Sequence, residues 1–227
     1  MIENYDGITF VAYMDICGFK VHMKNGEGFE MLDNFYSESY RILKDYKEKI
    51  NSIFISDCGM LFVREENSTP KEKLKILLES IKKINKKMLS HKIMLGTSIA
   101  YGKFKYQHRI EFEGMSKNNI CGNAYLNAFL DAERKGKQKI QPGQCRIVKD
   151  KFPIDLSTED EELFSFLKDR KYYPDNYYFY WTLSSHDEIG SFEKKYKNAY
   201  RLREKEGYHL ITEVLEDYES YLIKPTP

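Results

Sequence analysis

The sequence predicts an α+β fold: an antiparallel sheet in the order βαββαβ with two helices on one face, followed by a C-terminal α/β extension. Three observations carry this expectation. Residues Ile8 to Met14 form an uncharged run of apolar, β-branched and aromatic residues, as a strand buried on both faces requires. Short apolar runs of this kind alternate with longer segments whose apolar residues recur at helical spacing. Beyond about residue 150 the composition shifts to acidic, then strongly aromatic, then charged helical segments. The expected division is 1–150 for the principal domain and 151–227 for an extension packed on it.

A chain of 227 residues with 41% hydrophobic and 15% aromatic content can bury a sizeable core. Its 36 Lys and Arg nearly cancel its 35 Asp and Glu, so no global charge draws it to nucleic acid or to an anionic membrane. Cys17, Cys58, Cys121 and Cys145 are far apart, lack the paired spacing of a zinc site and read as reduced thiols. No apolar run reaches membrane-spanning length and MIENYDG lacks a signal peptide's regions, so a soluble, cytoplasmic protein is expected.

The first strand ends at Asp15, followed by Ile16, Cys17, Gly18 and Phe19. Val21 to Gly28 reads as a loop. From Phe29, apolar residues at Leu32, Phe35, Tyr36, Leu43, Tyr46 and Ile50 mark a helix with one buried face. Two apolar runs flanking Ser56-Asp57-Cys58-Gly59 give a tight hairpin over Ser52 to Val63. Thr69, Pro70 and Glu72 form a capping box with proline at the first helical position, and Leu74, Leu77, Leu78, Ile81, Ile84 and Met88 supply the stripe of that helix. Its interleaved lysines read as a solvated face. Ile93 to Tyr101 is strand-like and closed by Gly102, with alternation continuing to Phe112 as a second hairpin; Gly114 to Asn119 reads as a loop, Cys121 to Lys135 as a helix and Cys145 to Val148 as a strand. Asp155 to Asp169 is an acidic helix candidate, Tyr172 to Leu183 a packed aromatic strand rather than a base-stacking platform, and Glu193 to Leu222 a charged helix broken at Gly207. The order βαββαβ is the ferredoxin-like arrangement, which sets the first strand beside the hairpin and brings Asp15 and Asp57 to one edge.

A carboxylate at the mouth of a buried strand needs a partner, because an unpaired buried charge is costly. At about 5 Å, two such carboxylates repel by roughly 3 kcal/mol at an effective dielectric near 20. No basic residue lies within two positions of Asp57, and the nearest after Asp15 is Lys20. A divalent cation between the two is the simple answer, and hard oxygen ligands suit Mg²⁺ or Mn²⁺. Gly18 would let the chain turn and present backbone amides to phosphate. Taken singly, Asp57 is more often a hairpin residue and Asp15 a cap than catalytic; the pair, with the glycine turn, points to a metal–phosphate site.

AYMDICGF resembles the first metal motif of the class III nucleotidyl cyclases, FISDCGMLF resembles their second, and ICGNAYLNAFLDAE resembles the later segment in which a glycine opens a helix. The resemblance covers about residues 8 to 135 in the right order. It implies a cyclase palm-type domain and a homodimer with active sites across its interface, metal aspartates coming from one subunit and base-reading and transition-state residues from the other. Carried over, Asp15 and Asp57 are the ligands of two Mg²⁺ or Mn²⁺ ions, with the Ile16 carbonyl assisting, and the amides of Cys17, Gly18 and Phe19 bind triphosphate.

The purine-reading set is not matched. Ile53 stands where a lysine or glutamate is expected, Asn119 where a base-reading aspartate is expected, and Leu126 and Leu130 where an asparagine and an arginine are expected. Asn127 is one residue late for that asparagine; Asn123 and Asn127, four apart, either steady the ribose or transition state or are polar residues of a helix surface. An intact metal set without purine determinants is similar to the pyrimidine cyclases of bacterial anti-phage signalling (Pycsar type). That implies conversion of UTP or CTP to the 3′,5′-cyclic monophosphate and pyrophosphate, for a separate cyclic-nucleotide-responsive effector. A second expectation is a catalytically inactive, nucleotide-binding signalling module; a template-directed polymerase or diguanylate cyclase is disfavoured, since GGDEF and GGEEF stretches are absent.

Overall fold

A computed structural model describes residues 3–65, 67–112, 115–158, 162–170 and 173–220. Its strands are β1 (Tyr5–Ile16), β2 (Ile50–Ile55), β3 (Cys58–Val63), β4 (Leu95–Phe112), β5 (Met115–Cys121), β6 (Cys145–Val148), β7 (Leu167–Arg170) and β8 (Tyr173–Phe179). Its helices are α1 (Phe19–Lys24), α2 (Gly28–Leu43), α3 (Pro70–Ser90), α4 (Asn123–Ala132), α5 (Glu162–Ser165), α6 (Ile189–Glu206) and α7 (His209–Ser220). The mixed α+β expectation holds. The strands form an eight-stranded sheet in the order β2-β3-β1-β4-β6-β8-β7, with β5 paired to β4 outside that path. Every pairing is antiparallel except β4 with β6.

Strand β1 is central because both of its faces are apolar. Phe10, Ala12, Met14 and Ile16 point into the main core with Met31 and Phe35 of α2, Leu74, Leu77 and Leu78 of α3, and Ile211 and Leu215 of α7. Val11 points the other way, toward Ala124, and Tyr13 packs toward Ala128, both on α4. The period-two alternation of a strand thus puts α2 and α3 on one face and α4 on the other. Asp15, two residues past Tyr13, belongs to the α4 side.

Helix α3 forms as its signals require: the Thr69 side chain accepts from the Glu72 amide, and the Glu72 carboxylate accepts from the Thr69 N–H at 2.7 Å. Residues beyond 150 continue the same sheet, with β8 pairing β6 and β7 pairing β8, and their aromatic run is packed rather than displayed: Tyr178, Phe179, Tyr180 and Trp181 are buried. Gly207 separates α6 from α7 as expected. Among the described residues, no helix is long and apolar enough to cross a membrane.

Several boundaries differ from the sequence expectation. Phe19–Lys24 is a short helix within the expected loop, too short to show a period. Helix α2 stops at Leu43 and Ile50 begins β2, an apolar residue that fits either repeat. Strand β4 does not close at Gly102 but runs on to Phe112, 18 residues in all, and its hairpin partner is β5 over the expected loop. Gly102 is needed there for contact, because a Cβ would lie 2.5 Å from Asn123 Oδ1. Helix α4 ends at Ala132, short of Lys135, and the acidic segment after Asp155 yields only a 3-10 turn, the four-residue α5 and part of β7. Gly114, Tyr172 and residues 159–161 of the expected elements lie outside the described residues, as do 221 and 222 of the last helix.

Candidate metal and phosphate site

The pairing of β1 with β3 sets Asp15 directly opposite Cys58, and the two-residue turn Ser56–Asp57 hangs over the end of β1. The turn is pinned by the Ile16 N–H donating to the Asp57 carbonyl at 3.0 Å and by the Tyr36 hydroxyl donating to the Ser56 carbonyl at 2.9 Å. As a result Asp15, Asp57 and Cys58 each offer a ligand atom, all within 4.8 Å of one another; among the described residues this is the one such cluster. The carboxylates meet as the sequence expectation requires.

Burial dominates the electrostatics of the cluster. Burial pushes the Asp15 carboxyl up to about 6, opposed by the Cys58 hydrogen bond and reinforced by the negative charges of Asp57 and Glu133. Burial likewise drives the Cys58 thiol up to about 12, so the sulfur is protonated and donates to Asp15 Oδ1 at 3.3 Å. The Tyr13 hydroxyl, raised well above its ordinary value by burial, donates in turn to the Cys58 sulfur at 2.8 Å. The resulting chain Tyr13–Cys58–Asp15 holds one oxygen of Asp15. Two half-buried carboxylates with hard oxygens, one of them accepting from the Cys58 thiol, form a donor set able to hold a divalent cation.

Beyond the aspartates, the turn reverses direction at Gly18, whose φ of 80° lies in the left-handed region that glycine tolerates. The Cys17 amide is already committed, donating to the Met94 carbonyl at 2.9 Å. Of the three amides expected to meet phosphate, this geometry leaves those of Gly18 and Phe19. The Ile16 side chain is buried in the core, so only its backbone is at hand.

The other expected site residues do not converge on Asp15 within one chain. Asp15 is level with Gly96 on β4 and Asn119 is level with Gln107, eleven residues further along. At about 3.3 Å per residue that separation is roughly 35 Å. Asn123 sits over Gly102, six residues from Gly96, roughly 20 Å away by the same measure; its Oδ1 is buried without a hydrogen-bond partner among the described residues. Asn127 donates to Asp150 Oδ2 at 3.3 Å. Ile53 is sealed among Met60, Phe62 and Val11, an apolar wall offering no hydrogen bond to a base. Leu126 and Leu130, one helical turn apart on α4, are 50% and 54% exposed.

Sequence reasoning missed Tyr13, Cys58, Glu133 and Lys139 as neighbours of Asp15. The first two were discoverable: Tyr13 shares the strand face of Asp15 by the period of two, and Cys58 follows Asp57 at the hairpin. Glu133 and Lys139 arrive through the folding of α4 and the loop after it, which no local pattern encodes.

With this geometry in view, solved structures supply the comparison. The chain resembles the catalytic core of a rhodopsin-guanylyl cyclase with converted specificity in complex with ATPαS (14% identity, TM-score 0.52, covering 78% of this chain and 96% of that one). It resembles the guanylate cyclase domain of RhGC from Catenaria anguillulae in complex with GTP (13% identity, TM-score 0.51, 65% and 80% covered). It also resembles the guanylyl cyclase Cya2 (12% identity, TM-score 0.50, 78% and 92% covered). The fold is that of a nucleotidyl cyclase domain. No protein-family model matches the sequence, and no curated protein matches it significantly. The likeness is one of fold, at 12–14% identity.

Proposed function

We infer that the protein is a nucleotidyl cyclase, its catalytic unit lying within residues 1–150, and that its substrate is a pyrimidine nucleoside triphosphate, UTP or CTP. The observation that carries this reading is the convergence of Asp15 and Asp57 at the strand-end position of a cyclase fold. In the reaction the ribose 3′-oxygen forms a bond to the α-phosphorus, the bond from that phosphorus to the β-phosphate bridging oxygen breaks, and pyrophosphate leaves. Two Mg²⁺ or Mn²⁺ ions, when bound, would lower the pKa of the 3′-OH and neutralise the departing pyrophosphate. The chain's own part is to hold charge and orientation. Asp15 and Asp57 supply the negative oxygens, Cys58 fixes the rotamer of Asp15, and the Gly18 and Phe19 amides donate to phosphate oxygens.

The roughly 35 Å between Asp15 and the level of Asn119 supports a homodimer in which Asn119, Asn123 and Asn127 serve the partner's aspartates. The apolar pair Leu126 and Leu130 on the open face of α4 suits such an interface. Ile53 as an apolar wall, with no acidic residue at Asn119, favours a pyrimidine over a purine base. The accompanying biology would be a cytoplasmic second-messenger system of anti-phage defence, with a separate effector responding to the cyclic nucleotide.

Incubation with each of the four nucleoside triphosphates and Mn²⁺ tests the reading. The expected result is a cyclic pyrimidine monophosphate with stoichiometric pyrophosphate, abolished by Asp15→Ala and by Asp57→Ala. A second reading, a nucleotide-binding module without turnover, draws on Leu126 and Leu130 at the positions of catalytic side chains. It predicts triphosphate binding with no pyrophosphate from any of the four.

A further inference from the structure

The loop between α4 and β6 lies behind the Asp15 turn, and the C-terminal layer grips it. On the side facing the site, a Cβ on Gly96, the residue opposite Asp15, would sit 3.0 Å from Ile140 and 3.7 Å from the Cys17 sulfur. The Gly143 N–H donates to the Leu95 carbonyl at 3.0 Å, beside the Gly96 backbone against which both Ile140 and the Cys17 sulfur lie. On the far side, the Tyr196 hydroxyl donates to the Pro142 carbonyl at 2.6 Å and the Trp181 indole N–H to the Gly143 carbonyl at 2.7 Å, both buried. Leu215 packs so closely that a Cβ on Gly143 would lie 2.6 Å from its Cδ1. A parallel line runs through β4, where the Thr212 hydroxyl donates to the Met94 sulfur at 3.6 Å and the Met94 carbonyl accepts the Cys17 amide.

The turn itself has little packing to keep its shape. Gly18 is conformationally permissive, and α1 buries only Phe19 while Val21 and Met23 stand exposed. Beyond the burial of Phe19, what orders it is the hold on Cys17. We propose that Tyr196 and Trp181 are positioning residues for the triphosphate: through Pro142 and Gly143 they fix the Cys17–Gly18–Phe19 turn in the shape whose Gly18 and Phe19 amides meet phosphate oxygens. A shift of α6 would then change the affinity of the turn for phosphate. This rests on the cyclase reading above.

Titration of the full chain with inorganic tripolyphosphate and Mn²⁺, by calorimetry and by the fluorescence of Trp181, the chain's single tryptophan, tests it. Wild-type protein is expected to bind with a change in that fluorescence. Tyr196→Phe keeps the ring and drops the hydroxyl, and is expected to bind about five- to tenfold more weakly while retaining its native circular dichroism. Tyr218→Phe is the matched comparison: its hydroxyl meets Ser191 Oγ at 2.8 Å in the same helical layer and belongs to no contact with the loop. It is expected to keep wild-type affinity despite losing a comparable bond. Undiminished binding by Tyr196→Phe, or an equal loss in Tyr218→Phe, overturns the proposal. A wild-type chain that binds no tripolyphosphate fails the cyclase reading itself, and the proposal with it.

Discussion

Asp15 carries the electrostatic tension of the site. Its carboxyl, near 3.8 when unfolded, rises to about 6 in the native chain, chiefly through burial. Between those values the folded state holds a proton that the unfolded chain releases, so the metal-free protein loses stability as pH climbs from about 4 to about 6 and gains none back above it. In chelator, Asp15→Asn should therefore melt at a higher temperature than wild type at pH 7.5, with the gap closing by pH 4. Addition of Mn²⁺ at pH 7.5 should raise the wild-type midpoint and leave the variant's nearly unchanged. Thermal melts across that pH range check both statements. Asp15 and Asp57 were legible in the sequence because a charge at the end of an apolar run is chemically conspicuous. Lys139 was not, since its proximity to Asp15 exists only once the loop after α4 has closed.

At the scale of elements, α4 is fastened to the sheet by a buried ionic network. Asp131 accepts from Arg146 Nε and from Ser98 Oγ, each at 2.7 Å, and from Asn176 at 3.2 Å, and Arg134 approaches it from the helix end at 3.2 Å. The Asp131 and Arg146 side chains are each 1% exposed. Strands β4, β6 and β8 thereby all hold the same carboxylate, which fixes the helix carrying Asn123 and Asn127. Removing Arg146 takes away the buried partner of Asp131 and leaves it only the more exposed Arg134, so Arg146→Met should lower unfolding free energy by about 3 kcal/mol, measured in urea. The elements themselves were unequally visible. Helix α3 declares itself by Thr69 and Glu72 at its start and its leucine stripe, while β5, with the sequence MSKNNIC, lacks apolar alternation and is a strand because β4 supplies its hydrogen bonds. Strand β7 was hidden in the same way, its LKDR paired with β8.

For the whole molecule, the C-terminal segment is part of the sheet and core on which the site is built, a relation that no local pattern in residues 151–220 could announce. The open α4 face has the opposite character: Leu126 and Leu130 stand in solvent, as a partner surface would. Leu126→Asp with Leu130→Asp is expected to convert a sedimenting dimer to monomer and to abolish turnover while leaving the fold intact by circular dichroism. All of this depends on cations joining the two aspartates. Binding of Mn²⁺ to the full chain in the presence of 3′-deoxy-UTP, which cannot cyclise, followed by electron paramagnetic resonance, measures that directly. The account predicts two ions bound per site in wild type and a loss of bound Mn²⁺ in Asp57→Asn; a wild-type chain that binds no Mn²⁺, or an Asp57→Asn chain that binds as much as wild type, contradicts it.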